Sequence, residues 1–99
     1  MEWKMKGYRL SKHLFTGGRR YMKTVKKKIL PEYYKEVSAG RKNFEIRKDE
    51  DRLEPGDIVI LEEWNGKYTG KSIGIKISYI LRDTPEFGLI PGYCIFCWD

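Results

Sequence analysis

Histidine is almost absent from this 99-residue chain, with His13 the sole example, and cysteine is limited to Cys94 and Cys97. One imidazole and two thiols are too few for a closed zinc site in a monomer, so no metal and no cofactor are expected. Ser-His and Cys-His nucleophile pairs are excluded as well, unless the segment carrying His13 folds over the rest. The two cysteines have C-x-x-C spacing, but they fall in a predicted strand, where three residues span roughly 10 Å and successive side chains alternate faces. A disulfide needs Cα atoms within about 7 Å, and no helix follows to activate a thiol, so reduced, half-buried thiols are expected. Glycine-rich phosphate loops of the G-x-x-x-x-G-K-[ST] or G-x-G-x-x-G type are missing. Long hydrophobic runs are missing too: residues 87–98 form the longest uncharged stretch, twelve residues broken by Pro91 and Gly92, against about 20 for a membrane span. Lys4, Lys6, Arg9 and Lys12 interrupt any secretory apolar region. A cytoplasmic protein with no membrane association is expected.

What is present is a composition of 40% apolar and 34% charged residues with ten glycines and four prolines, which fits one small globular domain and not a disordered, collagenous or coiled-coil chain. The net charge of +6 is distributed unevenly. Residues 1–28 hold ten Lys or Arg against the single acid Glu2, a net of +9, and residues 29–99 hold ten bases against thirteen acids, a net of −3. A cationic leading segment either binds phosphate by counterion release or is a solvated tail. Gly17-Gly18-Arg19-Arg20 reads as a basic hinge, which divides the chain into a basic extension, residues 1–21, and a domain, residues 22–99.

Within the domain, residues 26–30 read as a short strand. Pro31 suits the first position of a helix, Glu32 suits its dipole, Tyr33 or Tyr34 with Val37 forms the apolar stripe, and Gly40 ends it after about two turns. Residues 42–47 read as a strand in which Phe44 and Ile46 make the apolar face, while Asn43, Glu45 and Arg47 share the opposite one. Pro55-Gly56-Asp57 is a turn that leads into the apolar run 58–61, read as a central strand buried on both faces. Asn65-Gly66 is a strong turn signal, with a second turn expected around Gly70. Ile73, Ile75, Ile77, Tyr79 and Leu81 mark one face of a single long strand, and residues 93–98 a closing strand. The expected fold class is α+β: a partly closed barrel of about five strands with one or two short helices.

Gly40-Arg41-Lys42-Asn43-Phe44-Glu45-Ile46-Arg47 matches the G-x-K-x-x-E-x-R signature of ASCH domains, which belong to the PUA-like group of small β-barrels associated with RNA. With the flanking K-I-L-P-E-Y at residues 28–33, Lys48, Gly56-Asp57, residues 67–70, Gly88-Leu89 and Gly92-Tyr93, the chain resembles a small ASCH-like family of undefined function common in phages and other mobile elements. The resemblance covers about residues 22–98 and leaves residues 1–21 as an extension. Two departures stand out. Val25 holds the place where such proteins carry a histidine. Glu45 holds the place of the threonine with which a branch of ASCH proteins hydrolyses acetylated cytidine, and a carboxylate supplies no hydroxyl nucleophile.

The resemblance implies an RNA- or single-stranded nucleic-acid-binding module of phage or mobile-element type, acting as a monomer or small homo-oligomer. Lys42 and Arg47 are expected to meet phosphate or a base edge, and Glu45 to orient Arg47. Arg41, Lys48, Lys26, Lys28, Arg19 and Arg20 would add charge, and Trp64 and Tyr68 would stack on unpaired bases. The structural alternative is that Glu45 and Arg47 form a strand-surface ion pair worth about 0–1 kcal/mol. Two other functions stand beside binding. One is an interaction protein that inhibits a host nucleic-acid machine by joining a host protein complex. The other is a hydrolase acting on RNA or a modified nucleoside, with Lys42 and Glu45 as its machinery.

Overall fold

The structure is a computed structural model that describes residues 5–6 and 21–99. The chain runs through β1 (Met5–Lys6), β2 (Thr24–Ile29), α1 (Pro31–Ser38), β3 (Phe44–Lys48), β4 (Ile58–Trp64), β5 (Tyr68–Lys76), β6 (Tyr79–Arg82), a 3-10 turn (Pro85–Phe87) and β7 (Tyr93–Cys97). Of the predicted basic extension, therefore, only β1 and Tyr21 are described. Arg19, Arg20 and His13 lie outside the described residues.

The class is α+β, but the strands do not close into the expected barrel. They form two sheets, one in the order β1-β5-β4-β2 and one in the order β3-β7-β6. β2 runs parallel to β4 and β4 antiparallel to β5 across the Asn65-Gly66 turn, while β7 is antiparallel to both its neighbours. The two sheets face each other over Ile29, Leu53, Val59, Leu61, Ile73, Ile75, Ile77, Cys94, Phe96 and Trp98, with Val37 of α1 joining them. Among the described residues no helix is long and apolar enough to cross a membrane.

The reason for two sheets is legible at Ile77 and Ser78. The amide of Ile77 donates to the Asp57 carbonyl (2.9 Å), at the head of β4, and its carbonyl accepts from Gly56 (2.7 Å), whereas Ser78 donates its amide to the Cys97 carbonyl (2.8 Å). One chain thus leaves the first sheet and enters the second within two residues, as strands do at the corners of packed sheets. The predicted single strand through residue 82 is accordingly two, and its apolar face inverts. Ile73, Ile75 and Ile77 are buried, but Tyr79 is exposed and Ile80 packs on the core. Gly70, read as a second turn, instead lies inside β5 with φ of +93°.

Helix α1 follows its sequence signals closely. Pro31 occupies the first turn, and Gly40 takes φ of +80° beyond the last. There the chain reverses, with both Arg41 and Lys42 donating their amides to the Glu36 carbonyl. Tyr34 and Val37, not Tyr33, form the inward stripe.

Two carboxylates anchor the long connection from β3 to β4. Asp57 is fully buried, and its oxygens accept from the amides of Lys23 (3.0 Å) and Glu54 (2.8 Å), joining the start of β2 to that of β4. The Asp49 carboxylate takes a two-pronged grip from Arg82, Nε to Oδ2 at 2.6 Å and Nη2 to Oδ1 at 3.0 Å, and the same Nη2 donates to the Leu53 carbonyl. Hydrogen bonding from Arg82 holds the Asp49 carboxyl below the usual carboxylate range despite its burial. A carboxyl that ionises more readily folded than unfolded stabilises the fold at neutral pH, and that contribution is lost as pH falls through the ordinary carboxylate range toward the lowered folded value. Asp49→Asn is therefore expected to cost about 3 kcal/mol at pH 7 and to shrink the acid loss of stability. Urea midpoints at pH 7, 5 and 3 check this, and an acid limb identical to that of the parent protein would refute it.

Candidate nucleic-acid interface

Strand β3 is inverted relative to its hydrophobic pattern. Phe44 and Ile46 are 45% and 54% exposed, whereas Glu45 between them is only 6% exposed and faces the interior beside Phe96. The apolar alternation predicts the right strand and the wrong inner face. Charge pairing explains the inversion. Arg47 donates from Nε to Glu45 Oε2 at 2.8 Å with Nη2 2.6 Å from the same oxygen, and Lys42 Nζ donates to Oε1. A carboxylate with a cation on each oxygen tolerates burial that a lone one does not. The surface ion-pair alternative does not describe this arrangement, because the Lys42 and Arg47 side chains are themselves only 15% and 25% exposed.

The elements around Glu45 set its two partners. Lys42 arrives directly from the reversal that ends α1, and its ammonium also donates to the Phe44 carbonyl (2.6 Å) and lies 4.8 Å and 5.6 Å from the ring centres of Phe44 and Tyr33. Arg47 sits two residues along β3 on the same face and donates from Nη2 to the Lys28 carbonyl at 2.6 Å, which ties β3 to the end of β2. Lys28 in turn places its ammonium 4.5 Å from the Trp64 ring centre and 5.7 Å from that of Tyr68, two residues paired across the β4–β5 hairpin. Lys42, Glu45, Arg47, Lys28, Trp64 and Tyr68 thus form one connected chain of contacts. The remaining expected residues stand apart. Arg41 is exposed and paired with Glu36 (2.6 Å), and Lys26 and Lys48 are exposed on the solvent sides of β2 and β3.

Besides Glu45 and Asp57, a third buried carboxylate escapes sequence reasoning. Glu63 is 9% exposed on β4 and accepts from the Thr69 hydroxyl at 2.7 Å. Tyr34, whose hydroxyl donates to the Ser72 carbonyl (3.2 Å), lies close enough that Glu63 raises its phenol, second in effect to burial. The available signal is the alternation Val59, Leu61, Glu63, which is hidden when residues 58–61 are read as a run buried on both faces. Elsewhere Cys94 is fully buried and Cys97 half-buried as free thiols, both pushed up by burial. Among the described residues no group of three His, Cys, Asp or Glu is arranged to hold a metal.

Fold and site define a small α+β domain with two facing sheets and a cation-flanked buried carboxylate. Residues 24–97 match the family described as Domain of unknown function (DUF3850), and the chain belongs to it. It is also similar to the "Uncharacterized 12.9 kDa protein in GpA 3'region" of Escherichia phage P2, with 36% identity over 52 residues, 52% of this chain and 48% of that protein. The chain spans about half the length of the curated relative it matches. The expected likeness to a small phage-associated family of undefined function is thereby met.

Glu45→Gln removes the anion that compensates two partly buried cations and is expected to lower stability by about 3–5 kcal/mol. Lys42→Ala, which leaves Glu45 with Arg47, is expected to cost less. Chemical denaturation of the two variants tests the ranking, and equal losses would show that Glu45 is not shared between its partners.

Proposed function

We propose that this domain binds RNA or single-stranded nucleic acid, as a distant relative of the ASCH and PUA-like domains acting in the cytoplasm. The observation that carries the reading is the alternation of cations and rings, exposed at Tyr33, Phe44 and Tyr68 and half-buried at Trp64: Lys42 over Tyr33 and Phe44, Lys28 over Trp64 and Tyr68, with Arg47 joining the two groups through the Lys28 carbonyl. Basic side chains track a phosphate backbone while aromatic faces stack on successive bases, and this combination tolerates many sequences. Glu45 organises the cations and leaves each with hydrogen-bonding capacity. Among the described residues nothing accepts from Arg47 Nη1. A short helix such as α1 and a strand-built face also suit unpaired bases better than a duplex major groove. The same geometry weighs against a hydrolase using Lys42 and Glu45, because both Glu45 oxygens are already engaged by Lys42 and Arg47.

A second reading, an interaction protein that joins a host nucleic-acid machine, draws on one observation. The solvent face of the β3-β7-β6 sheet exposes Phe44, Ile46 and Tyr79.

Fluorescence anisotropy with single-stranded RNA, hairpin RNA and DNA at two salt concentrations tests the first reading. Lys42→Gln/Glu45→Gln/Arg47→Gln removes the cations together with the anion they compensate, and should weaken RNA binding at least tenfold and reduce the salt slope. Trp64→Ala/Tyr68→Ala should weaken binding roughly tenfold with the salt slope retained. Unchanged affinity in both variants, or no binding by the parent protein, would defeat this reading in favour of a protein partner.

A further inference from the structure

The two faces of the β3-β7-β6 sheet differ in kind. The inner one carries Glu45, Phe96 and Ile80 in one row and Arg47, Cys94 and Arg82 in the next, and it contributes Cys94 and Phe96 to the core. The outer one presents Phe44, Cys97 and Tyr79 in one row, Ile46, Ile95 and Leu81 in the next, and Lys48 beside Tyr93 at the end. Phe44, Ile46 and Tyr79 are 45%, 54% and 58% exposed, with Ile95, Leu81, Cys97 and Tyr93 half-buried among them. Lys48 is the one charged residue on this face, at its margin, in a chain where 34% of residues are charged. Beyond Tyr93 the connection from β6 brings two more exposed apolar side chains, Phe87 and Ile90, the latter accepting from the Tyr93 amide through its carbonyl (3.1 Å).

The size and chemistry of this surface select its occupant. Taking about 150–250 Å² for a whole aromatic side chain, the exposed fractions amount to roughly 600 Å² on the sheet face, at the top of what a monomer ordinarily leaves in one apolar patch. A specific interface buries about 600–1,000 Å² on each partner, so the sheet face alone reaches the lower bound, before Phe87 and Ile90 add to it. Proteins that also live apart meet through surfaces about as polar as the rest of their exterior, whereas homodimer interfaces are more apolar and depleted of charge. Two-fold pairing sets a patch against itself, and a patch without central charges meets its own copy with no like-charge contact. Phe44 and Tyr79 also flank the smaller Cys97, which gives the face ridges and a trough with which to interlock. Two such sheets pack about 10 Å apart with their side chains interdigitated. We infer that the outer face of the β3-β7-β6 sheet joins two copies of this chain into a two-fold dimer. The inference stands apart from the nucleic-acid reading, and its salt dependence has the opposite sign. Each copy carries a net charge of +6, so screening their repulsion tightens the dimer, whereas nucleic-acid binding weakens as salt rises.

Sedimentation equilibrium of the full chain without nucleic acid tests it, at two salt concentrations and from about 1 to 200 µM, a range that brackets a micromolar Kd. The parent protein should pass from monomer to dimer over that range, with a Kd that falls as salt rises. Ile46→Asp places an unpaired charge in the contact and should raise the Kd at least tenfold. Tyr79→Ser, at the opposite edge of the face, should act in the same direction and keeps the test available if Ile46→Asp fails to fold by circular dichroism. Cys97 lies inside the contact and Cys94 is fully buried, so alkylation of Cys97 should slow severalfold as the dimer fills. A monomer at every concentration would overturn the inference: fast alkylation of Cys97 would then leave the face to a different protein, and slow alkylation would show it covered by other residues of the same chain. A dimer whose Kd neither variant moves would overturn the assignment to this face. Because no nucleic acid is present, either failure leaves the nucleic-acid reading standing.

Discussion

The Glu45 carboxylate, buried between Lys42 and Arg47, is the constraint around which the domain is arranged. Its burial turns β3 so that the polar side of the strand faces inward and Phe44 and Ile46 face solvent. Three otherwise separate pieces meet there: the reversal after α1 brings Lys42, β3 brings Glu45 and Arg47, and the Arg47 guanidinium closes onto the β2 carbonyl of Lys28. The cations proposed to meet phosphate are the same ones that make the buried charge tolerable, so the stability of this corner and the binding proposed for it would come from one network. Such coupling is common at sites, where local rules of burial are broken and compensated nearby.

The second sheet depends on the first through the crossing at Ile77 and Ser78. Since both sheets share one strand's length of chain, the depth of the interior is fixed where that chain passes between them, and the loop from residue 49 to 57 is held to the same corner by Asp49 with Arg82 and by Asp57. Gly56 sits at this junction with φ of +97°, and a Cβ there would come within 2.7 Å of the Met22 sulfur. The hairpin that carries Trp64 and Tyr68 then projects from a fixed base, with β4 paired to β2 on one side and to β5 on the other. The aromatic part of the proposed interface is therefore held by strand pairing, and Lys28 of β2 reaches across to it.

Much of this organisation was legible in the sequence, and the parts that were not share a cause. Pro31 and Gly40 bounded α1 because each acts on the local backbone, and Asn65-Gly66 set the hairpin for the same reason. Glu45 and Arg47 were legible as neighbours because alternate residues of a strand share a face, and Lys42 joined them through the resemblance to the G-x-K-x-x-E-x-R signature. The inner face of β3, the break in the strand after Lys76 and the burial of Glu63 were not. Each depends on which sheet faces which, and hydrophobic alternation assigns a face only if the apolar side is the buried one. At β3 an ion pair network overrode the pattern, and at Ile77 a change of sheet reversed it.

The contrast between Glu45 and Glu63 bears on how the fold divides its roles. Both carboxylates are inward and nearly equal in burial. Glu45 is compensated by residues within three positions of itself, which makes its pairing available as soon as β3 and the α1 reversal form. Glu63 has no cation in its own strand and meets only Ile29 across one ladder and Thr69 beyond the bulge that shifts the other. Glu45 is thus met by two cations beside it in sequence, whereas Glu63 is met by the Thr69 hydroxyl across the hairpin, so one carboxylate ties the α1 reversal to β3 and the other ties β4 to β5.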